Sequence, residues 1–191
     1  MRVIAGTARS LPLRTPAGRD TRPTTDRIKE TLFNILQPYV PGGVFVDLFS
    51  GSGGIGIEAI SRGALKAYFV ENGREALSCI QQNLSFTKFE DRGIVIKQDV
   101  LAALSGIRED RADVIFMDPP YGLEYEKRVL ELLKGQRYVT EDTLIVVEAE
   151  LHTPFEYLQE YGYRIAKEKR YKTNKHLFLR LEDRTQGRAG D

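Results

Sequence analysis

Residues 44–60 read VFVDLFSGSGGIGIEAI, and this stretch decides how the rest of the chain is interpreted. An apolar run ends at Asp47 and passes into a loop with Gly51, Gly53 and Gly56, after which helical periodicity begins. Glycines at a strand-to-helix junction allow a tight turn and let a ligand approach the backbone closely. The G-x-G-x-x-G spacing therefore predicts a Rossmann-like strand, loop and helix with a binding site at the turn.

Short apolar runs alternate with helical patterns beyond this stretch. Repeated βα units predict an α/β fold, with a mostly parallel, doubly wound sheet covered by helices on both faces. Two last runs, YRIAKEKRYKT and KHLFLRLE, lie so close in sequence that they must pair antiparallel, so the sheet ends in a hairpin. The predicted strands are VFVDLF, KAYFVE, GIVIKQ, ADVIFMD and TLIVVE, and the predicted helices lie near 54–62, 74–84, 99–106, 124–134 and 152–160.

The first 40 residues follow a different pattern. Prolines and glycines interrupt residues 1–23, which predicts a small strand or hairpin followed by a loop, and TTDRIKETLFNIL has the apolar spacing of a helix. We therefore divide the chain into a hairpin-and-helix extension (1–40), a ligand-binding domain (41–181) and a polar tail (182–191).

Carboxylates at three predicted strand ends indicate a nucleoside ligand. Glu71 ends the second strand 20 residues after Gly51, where a carboxylate can accept hydrogen bonds from both ribose hydroxyls. Asp47, before the glycines, would repel a pyrophosphate and suits a cationic ligand such as S-adenosylmethionine. The alternative is that Asp47 has only a structural role as a cap or turn residue. Asp99 ends the third strand, where it can accept from an adenine amino group or cap the next helix.

The motif DPPY, residues 118–121, follows the fourth strand. Pro119 keeps Asp118 out of the helical conformation, and neither proline donates a backbone hydrogen bond. The Asp118 side chain and the Pro119 carbonyl can thus accept two hydrogens of one amino group and turn its lone pair toward an electrophile. Tyr121 can stack on the base that carries the amino group. The alternative is a turn stiffened by Pro119 and Pro120.

Charge is divided into three blocks. Residues 1–30 have 7 Lys/Arg and 3 Asp/Glu (+4), residues 31–163 have 12 and 20 (−8), and residues 164–191 have 9 and 4 (+5). Basic ends around an acidic middle are typical of a small-ligand site flanked by surfaces for a polyanion. A lysine-rich edge strand would explain the last block equally well.

Composition excludes several classes of protein. With 191 residues, of which 41% are hydrophobic, the chain can bury a core, yet its apolar runs are too short for a membrane helix and its N-terminus lacks a signal peptide's apolar core, so we expect a cytoplasmic protein. One cysteine and two distant histidines predict no metal site.

Taken together, these motifs resemble those of the bacterial RsmD family, the 16S ribosomal RNA guanine-N(2) methyltransferases. The resemblance rests on MRVIAG, RPTTDRIKETLFNIL, DLFSGSGGIGIEAISRGA, FVE and MDPPY, and covers residues 1 to about 181. The glycine loop and DPPY alone indicate only an amino-group methyltransferase, and RPTTDRIKETLFNIL narrows the match to this family. Ser10 and Leu11 depart from the pattern, since many members have a Gly-Arg pair there.

The resemblance implies a Rossmann-like class I methyltransferase with S-adenosylmethionine as donor and a guanine 2-amino group of 16S ribosomal RNA as acceptor. It also implies an RNA-facing N-terminal hairpin. Apart from the resemblance, we expect a substrate within a small-subunit assembly particle and a monomeric protein, and an in-line methyl transfer requires no metal. The candidate catalytic residues are Asp118, Pro119, Pro120 and Tyr121. The candidate cofactor contacts are Asp47, Phe49, Ser50, Gly51, Ser52, Gly53, Glu71, Asn72, Asp99 and Val100. The candidate RNA contacts are Arg9, Arg14, Arg19, Arg22, Arg27, Lys169, Arg170 and Lys172.

Three alternatives remain at this point. A methyltransferase acting on adenine in DNA, or on another RNA, uses the same motif, but DNA enzymes that flip a base usually have a separate target-recognition domain, for which this chain has no segment. A nicotinamide-dependent dehydrogenase would leave DPPY unexplained. A non-catalytic RNA-binding protein on the same fold would be expected to lose Asp118 or the glycines.

Overall fold

A computed structural model describes residues 1–17, 26–120 and 122–182. The strands are β1 (Val44–Asp47), β2 (Lys66–Glu71), β3 (Gly93–Lys97), β4 (Val114–Met117), β5 (Leu144–Glu150), β6 (Tyr163–Arg170) and β7 (Asn174–Leu181). The helices are α1 (Asp26–Leu36), α2 (Gly54–Ser61), α3 (Arg74–Thr87), α4 (Val100–Ala103) and α5 (Tyr125–Leu133). The seven strands form one sheet in the order β3-β2-β1-β4-β5-β7-β6.

The pairing of the strands confirms the predicted fold class. Neighbours among β1 to β5 pair in parallel, whereas β7 is antiparallel to both β5 and β6. Strand order reverses between β1 and β4, since the chain first builds outward to β3 and then returns to the other side of β1. The carboxyl ends of β1 and β4 therefore border the switch-point crevice where open α/β sheets bind ligands.

Two apolar layers hold the sheet between them. One layer packs side chains of α4 and α5 against the sheet, and the other packs α1, α2, α3 and the N-terminal segment against the opposite face. All residues of β1 and β4 are buried. This double burial explains the unbroken apolar runs of these strands, and each fully buried aliphatic side chain contributes about 1.5–3 kcal/mol of transfer free energy.

The N-terminal segment forms the predicted hairpin only in a minimal way. It has one isolated antiparallel bridge, between Arg2 and Pro12, beside a hydrogen bond of 3.0 Å from the Val3 amide to the Leu11 carbonyl. Ser10 turns the chain with a φ of 69°, a conformation that glycine adopts at lower cost. Ser10, one of the two positions at which the sequence departs from the pattern it resembles, thus lies at a left-handed turn.

A buried carboxylate fastens this segment to α2. Glu58 accepts from the amides of Ile4 (2.8 Å) and Ala5 (3.0 Å) and lies 3.2 Å from the ammonium group of the fully buried Lys29 of α1. Burial lowers the pKa of Lys29, although the charge of Glu58 opposes this effect. Removing one partner of such a pair would leave a buried unpaired charge, which is strongly destabilising. The contacts of Glu58 therefore hold the extension firmly against α2, the helix that follows the glycine loop.

The predicted helix at 152–160 is wrong for most of its length. Only Glu156–Leu158 form one 3₁₀ turn. The aromatic rings of Phe155, Tyr157 and Tyr161 pack on one another and on the core, so tertiary contacts override the helical spacing of this segment. The predicted helix at 99–106 is α4 followed by a 3₁₀ turn at Leu104–Gly106.

Candidate active site at the carboxyl edge of the sheet

The loop between β1 and α2 needs its glycines for two different reasons. Gly51 and Gly53 have φ values of 53° and 81°, which residues with a Cβ rarely adopt. Gly56 lies in α2, where an added Cβ would come within 2.4 Å of the Phe69 ring on β2. The first two glycines therefore shape the turn, and the third brings the helix close to the sheet.

Glu71 is held in place by backbone donors. Its Oε2 accepts from the Gly51 amide at 2.9 Å, and its Oε1 accepts from the amides of Asn72 (2.9 Å) and Gly73 (2.7 Å). Since a carboxylate has about four acceptor positions, the three amides fix its orientation and leave capacity for a ribose hydroxyl. The candidates Gly51, Glu71 and Asn72 are thus brought together.

Asp47 is almost fully buried at the end of β1. Its Oδ2 accepts from the Gly56 amide at 3.2 Å, and its carbonyl accepts from the Ser50 hydroxyl at 2.8 Å. Burial raises the pKa of Asp47 to about 7; the Gly56 hydrogen bond opposes this rise and the charge of Glu71 adds to it. A buried carboxylate with so little compensation favours a cationic partner.

The remaining cofactor candidates surround the same crevice. Asp99 caps α4 by accepting from the Leu101 amide at 3.0 Å through Oδ1, and Val100 is buried beside it. Phe49 packs edge to face on Tyr125 at the start of α5, with ring centroids 5.7 Å apart. Ser52 accepts through its carbonyl from the Asn83 side chain at 2.9 Å.

Asp118 follows β4 and lies across the switch point from the glycine loop. It is half-buried and receives no hydrogen bond from the residues that the structure describes. Burial raises its pKa to about 8, and the charges of Glu148, Asp47 and Glu126 add to the effect. Pro119 is buried and Pro120 is exposed, whereas Tyr121 lies outside the described residues. Asp118 is therefore a carboxylate of raised basicity at the crevice.

The predicted RNA contacts do not form one cluster. Arg14 is held beside the glycine loop, because Asn83 bonds both to its backbone and to the Ser52 carbonyl. Arg9 lies near the last turn of α2, where the Ala8 amide donates to the Ser61 hydroxyl at 2.9 Å. It is therefore about one helix length away from the loop. Arg27 is exposed in the first turn of α1, and Arg19 and Arg22 lie outside the described residues.

The basic residues of the terminal hairpin lie on the same edge as Asp118. Strand β6 is parallel to β5, since both are antiparallel to β7. Its carboxyl end therefore carries the exposed Lys169 and Arg170 toward the crevice edge, and Lys172 follows in the turn. Arg170 pairs with Glu168 at 2.5 Å, so part of its charge is already balanced.

Sequence reasoning missed the polar residues that only the fold brings to this edge. Glu148 of β5 and His176 of β7 are buried and lie 2.9 Å apart, between Oε2 and Nε2. Asn83, also buried, joins the N-terminal segment to the glycine loop. These positions have no motif or spacing in common, so a single sequence offers no signal for them.

The described part of the chain shows neither a membrane-spanning helix nor a metal site. No helix in residues 1–17, 26–120 and 122–182 is both long and apolar enough to cross a membrane. No group of three or more His, Cys, Asp or Glu side chains in this part of the chain is placed to hold a metal ion.

Comparisons with known proteins point to one group. Residues 1–180 match the family model described as Conserved hypothetical protein 95. The chain is 41% identical over 150 residues to "Putative rRNA methyltransferase YlbH" of Bacillus subtilis, covering 78% of this chain and 82% of that protein. It is 36% identical over 156 residues to ribosomal RNA small subunit methyltransferase D of Haemophilus influenzae, covering 81% of each.

The fold has a close counterpart among solved structures. The structure described as "Putative methyltransferase yhhF from Escherichia coli" superimposes with a TM-score of 0.80 at 28% identity, covering 96% of this chain and 99% of that one. The similarity therefore includes the N-terminal extension as well as the sheet.

Proposed function

The chain belongs to the Conserved hypothetical protein 95 family and to the ribosomal RNA small subunit methyltransferases D, and on this premise we propose that it transfers a methyl group from S-adenosylmethionine to the exocyclic 2-amino group of a guanine in 16S ribosomal RNA. The position of Asp118 carries the proposal. It directly follows β4, across the switch point from the glycine loop that follows β1. A candidate proton acceptor and a candidate nucleoside site thus share one crevice, as a group transfer to a base requires.

The cofactor residues suit S-adenosylmethionine chemically. When bound, this cofactor supplies an electrophilic methyl group on a positively charged sulfur. Asp47 offers a buried carboxylate for a cation, Glu71 is oriented for ribose hydroxyls, and Asp99 keeps one carboxylate oxygen beside its helix cap for an amino group. The loop amides lie near two carboxylates, an arrangement that disfavours a pyrophosphate. Calorimetry should therefore detect S-adenosylmethionine binding and no competition by NAD; tight NAD binding would overturn the assignment.

The acceptor residues act by positioning. The Asp118 carboxylate and the Pro119 carbonyl accept hydrogens of the amino group, and the lone pair, otherwise delocalised into the ring, turns toward the methyl carbon. Tyr121, which lies outside the described residues, is assigned the stacking role on the base because its aromatic ring directly follows the two prolines of DPPY. Stacking of this kind is worth about 1–3 kcal/mol, so Tyr121→Phe should be mild and Tyr121→Ala severe.

Labelled S-adenosylmethionine and total RNA from cells that lack the protein test the reaction. We expect label on the 2-amino group of one guanine in 16S RNA, and no label with the folded Asp118→Ala variant. Label on adenine, or transfer to DNA in place of RNA, would overturn the proposed function.

Arg14, Lys169 and Lys172 are the RNA contacts that the fold best supports, because they lie at the crevice edge. Each phosphate contact to a single strand changes the slope of log affinity against log salt by about 0.7. Replacing all three with alanine should flatten that slope by about 2 and leave cofactor affinity unchanged. The matched control removes Arg108, Arg111 and Arg137 near the amino ends of β4 and β5. An equal effect of both triple variants would mean that the contacts are nonspecific.

The location, oligomeric state and substrate particle of the protein are further parts of the proposal. We propose a cytoplasmic monomer that acts on a small-subunit assembly particle. Comparing naked 16S RNA with the assembled 30S particle as substrate tests the particle, and light scattering tests the monomer. Faster methylation of naked RNA, or a stable dimer, would contradict the respective statement.

A further inference from the structure

Three polar side chains form a row across neighbouring strands at the crevice. Met117 of β4 is paired with Val147 of β5, which is paired with Leu177 of β7. The next row at the carboxyl edge is therefore Asp118, Glu148 and His176, and the last two are direct partners. Directly opposed residues project to the same face of a sheet, which places Glu148 beside His176. Asp118 lies one residue beyond the last β4–β5 pair and faces the charge of Glu148.

Both carboxylate oxygens of Glu148 receive a hydrogen bond. The Asn174 side-chain amide donates to Oε1, and Nε2 of His176 lies 2.9 Å from Oε2. Since an ionised carboxylate only accepts, Nε2 must carry the proton. Nδ1 then faces the Tyr171 hydroxyl at 3.4 Å and can accept from it. The Glu148 carboxylate is thereby held by two side chains behind Asp118.

The surroundings of His176 hold this arrangement rigidly. The ring is fully buried and is met edge to face by Phe116 (centroids 6.3 Å apart) and Tyr171 (5.0 Å). Aromatic packing on both sides prevents the imidazole from turning away from Glu148.

One acceptor of this cluster is left without a partner. Asn174 is 6% exposed, and its Oδ1 is a buried atom with no hydrogen bond among the described residues. Buried polar networks that serve stability alone are normally fully satisfied, because each unpaired group costs free energy. The cluster therefore has a feature that stability does not explain.

We propose that Glu148 is a positioning residue of the methyl transfer: its charge, held by His176 and Asn174, makes Asp118 the group that takes up the proton released by the amino group. This inference rests on the proposed function. The lone pair of the amino nitrogen forms a bond to the methyl carbon, while the carbon–sulfur bond breaks and leaves its electron pair on the sulfur, which becomes neutral. The nitrogen must then lose one proton; the N–H electron pair stays on nitrogen, and the proton bonds to an Asp118 oxygen. Asp118 later releases it to water, so the site returns to its starting state.

The electrostatics around Asp118 support this role. The charged groups that face it are Glu148 from β5, Asp47 from β1 and Glu126 from α5, and Glu148 is the strongest of them. Together with burial they raise the pKa of Asp118 to about 8. An ordinary aspartate is a weak proton acceptor near neutral pH, whereas a carboxylate with a pKa near the working pH is an efficient one. On β6, Lys169 is paired with His176 and continues the row away from Asp118.

Single-turnover rates between pH 6 and pH 10, at saturating S-adenosylmethionine and RNA, test the role of Glu148. In Glu148→Gln the midpoint of the rising limb should move down by about one pH unit, since the nearest like charge is removed. The plateau rate should fall about three- to tenfold because Asp118 becomes a weaker base. Cofactor affinity should stay within about twofold of the wild-type value. A general structural disruption would instead weaken cofactor binding together with the rate.

Two further variants separate charge from packing. His176→Gln keeps an amide donor toward Glu148 and should retain the wild-type midpoint, whereas His176→Leu should behave like Glu148→Gln. Glu150→Gln removes an acid two residues further along β5 and is the matched control, with no expected shift. An unchanged midpoint in folded Glu148→Gln, or an equal shift in Glu150→Gln, would overturn the proposal.

Direct titration of Asp118 does not depend on RNA or on a folded Glu148 variant. Carboxyl carbon NMR of the ¹³C-aspartate-labelled wild-type protein, with Asp118→Asn for assignment, should show Asp118 titrating near 8. A titration near 4 would sink the inference even if guanine methylation is observed. Absence of guanine methylation with a titration near 8 would instead sink the proposed function.

Discussion

Glu71 at the end of β2 and Asp118 directly after β4 lie at the same edge of the sheet, but the hydrogen bonds and charges around the two carboxylates differ. Glu71 accepts from three backbone amides, whereas Asp118 receives no hydrogen bond from the described residues and is flanked by other carboxylates. Donors stabilise the ionised form, while burial and like charge destabilise it. This difference fits the proposed function, in which Glu71 binds ribose hydroxyl groups and Asp118 accepts a proton.

The largest expected effect is a loss of turnover when Asp118, the proposed proton acceptor, is replaced. Asp118→Ala should lower kcat by about 10²–10³-fold, in the range that a positioned base contributes, while S-adenosylmethionine affinity changes little. Steady-state rates and calorimetry on the same preparation separate the two quantities. Wild-type turnover in the variant would contradict the proposed difference in role between Asp118 and Glu71, because DPPY would then be only a stiff turn.

Cofactor affinity should depend instead on Glu71, the proposed ribose-binding carboxylate. Glu71→Ala should weaken S-adenosylmethionine by about 1–3 kcal/mol, since charge-assisted bonds to ribose are lost, and kcat at saturation should be nearly unchanged. Glu75→Ala, in the first turn of α3, is the matched control and should bind normally. Equal affinity of Glu71→Ala and wild type would show that the loop, and not the carboxylate, holds the ribose.

Asp47 lies between the two cases, with one amide donor and a pKa raised to about 7. A cationic ligand prefers the ionised form, so its affinity should fall as pH drops below about 7, by up to about tenfold per unit. Binding near pH 7 should release protons, which calorimetry in buffers of different ionisation enthalpy detects. Asp47→Asn should abolish the dependence; a variant that kept it would assign the titration to another group.

The smallest expected effects are on the free energy of unfolding, and replacing Asp118 and replacing Glu71 should change it in opposite directions. The pKa of Asp118 is raised on folding, so its stabilising contribution is complete below about pH 4 and is lost as pH rises toward 8. Asp118→Asn should therefore stabilise the ligand-free protein by about 1–2 kcal/mol above pH 8, and the gain should shrink toward pH 4. Glu71→Gln should destabilise it by about 1 kcal/mol through weaker bonds to three amides. Urea denaturation at pH 5 and pH 9 measures both; equal signs at pH 9 would contradict the comparison.

Local signals in the sequence determined much of this protein. Apolar runs bounded by turns identified the five parallel strands, because a strand covered on both faces is largely apolar along its length. The terminal hairpin was instead identified by the short connection between its two segments, since β6 is exposed from Arg164 onward. The glycine loop with Glu71 twenty residues after Gly51, and Asp118 before two prolines, identified the crevice and both of its sides. These features depend on the conformation of short segments, which a few neighbouring residues dictate.

Only the tertiary structure decided how these segments meet. The row of Asp118, Glu148 and His176 depends on the register of three strands that are far apart in sequence, and no local pattern specifies a register. The segment 152–160 has helical spacing but follows the packing of its aromatic rings. The basicity of Asp118 likewise arises from burial and from charges on other elements, so the residue type came from the sequence and its protonation state from the fold.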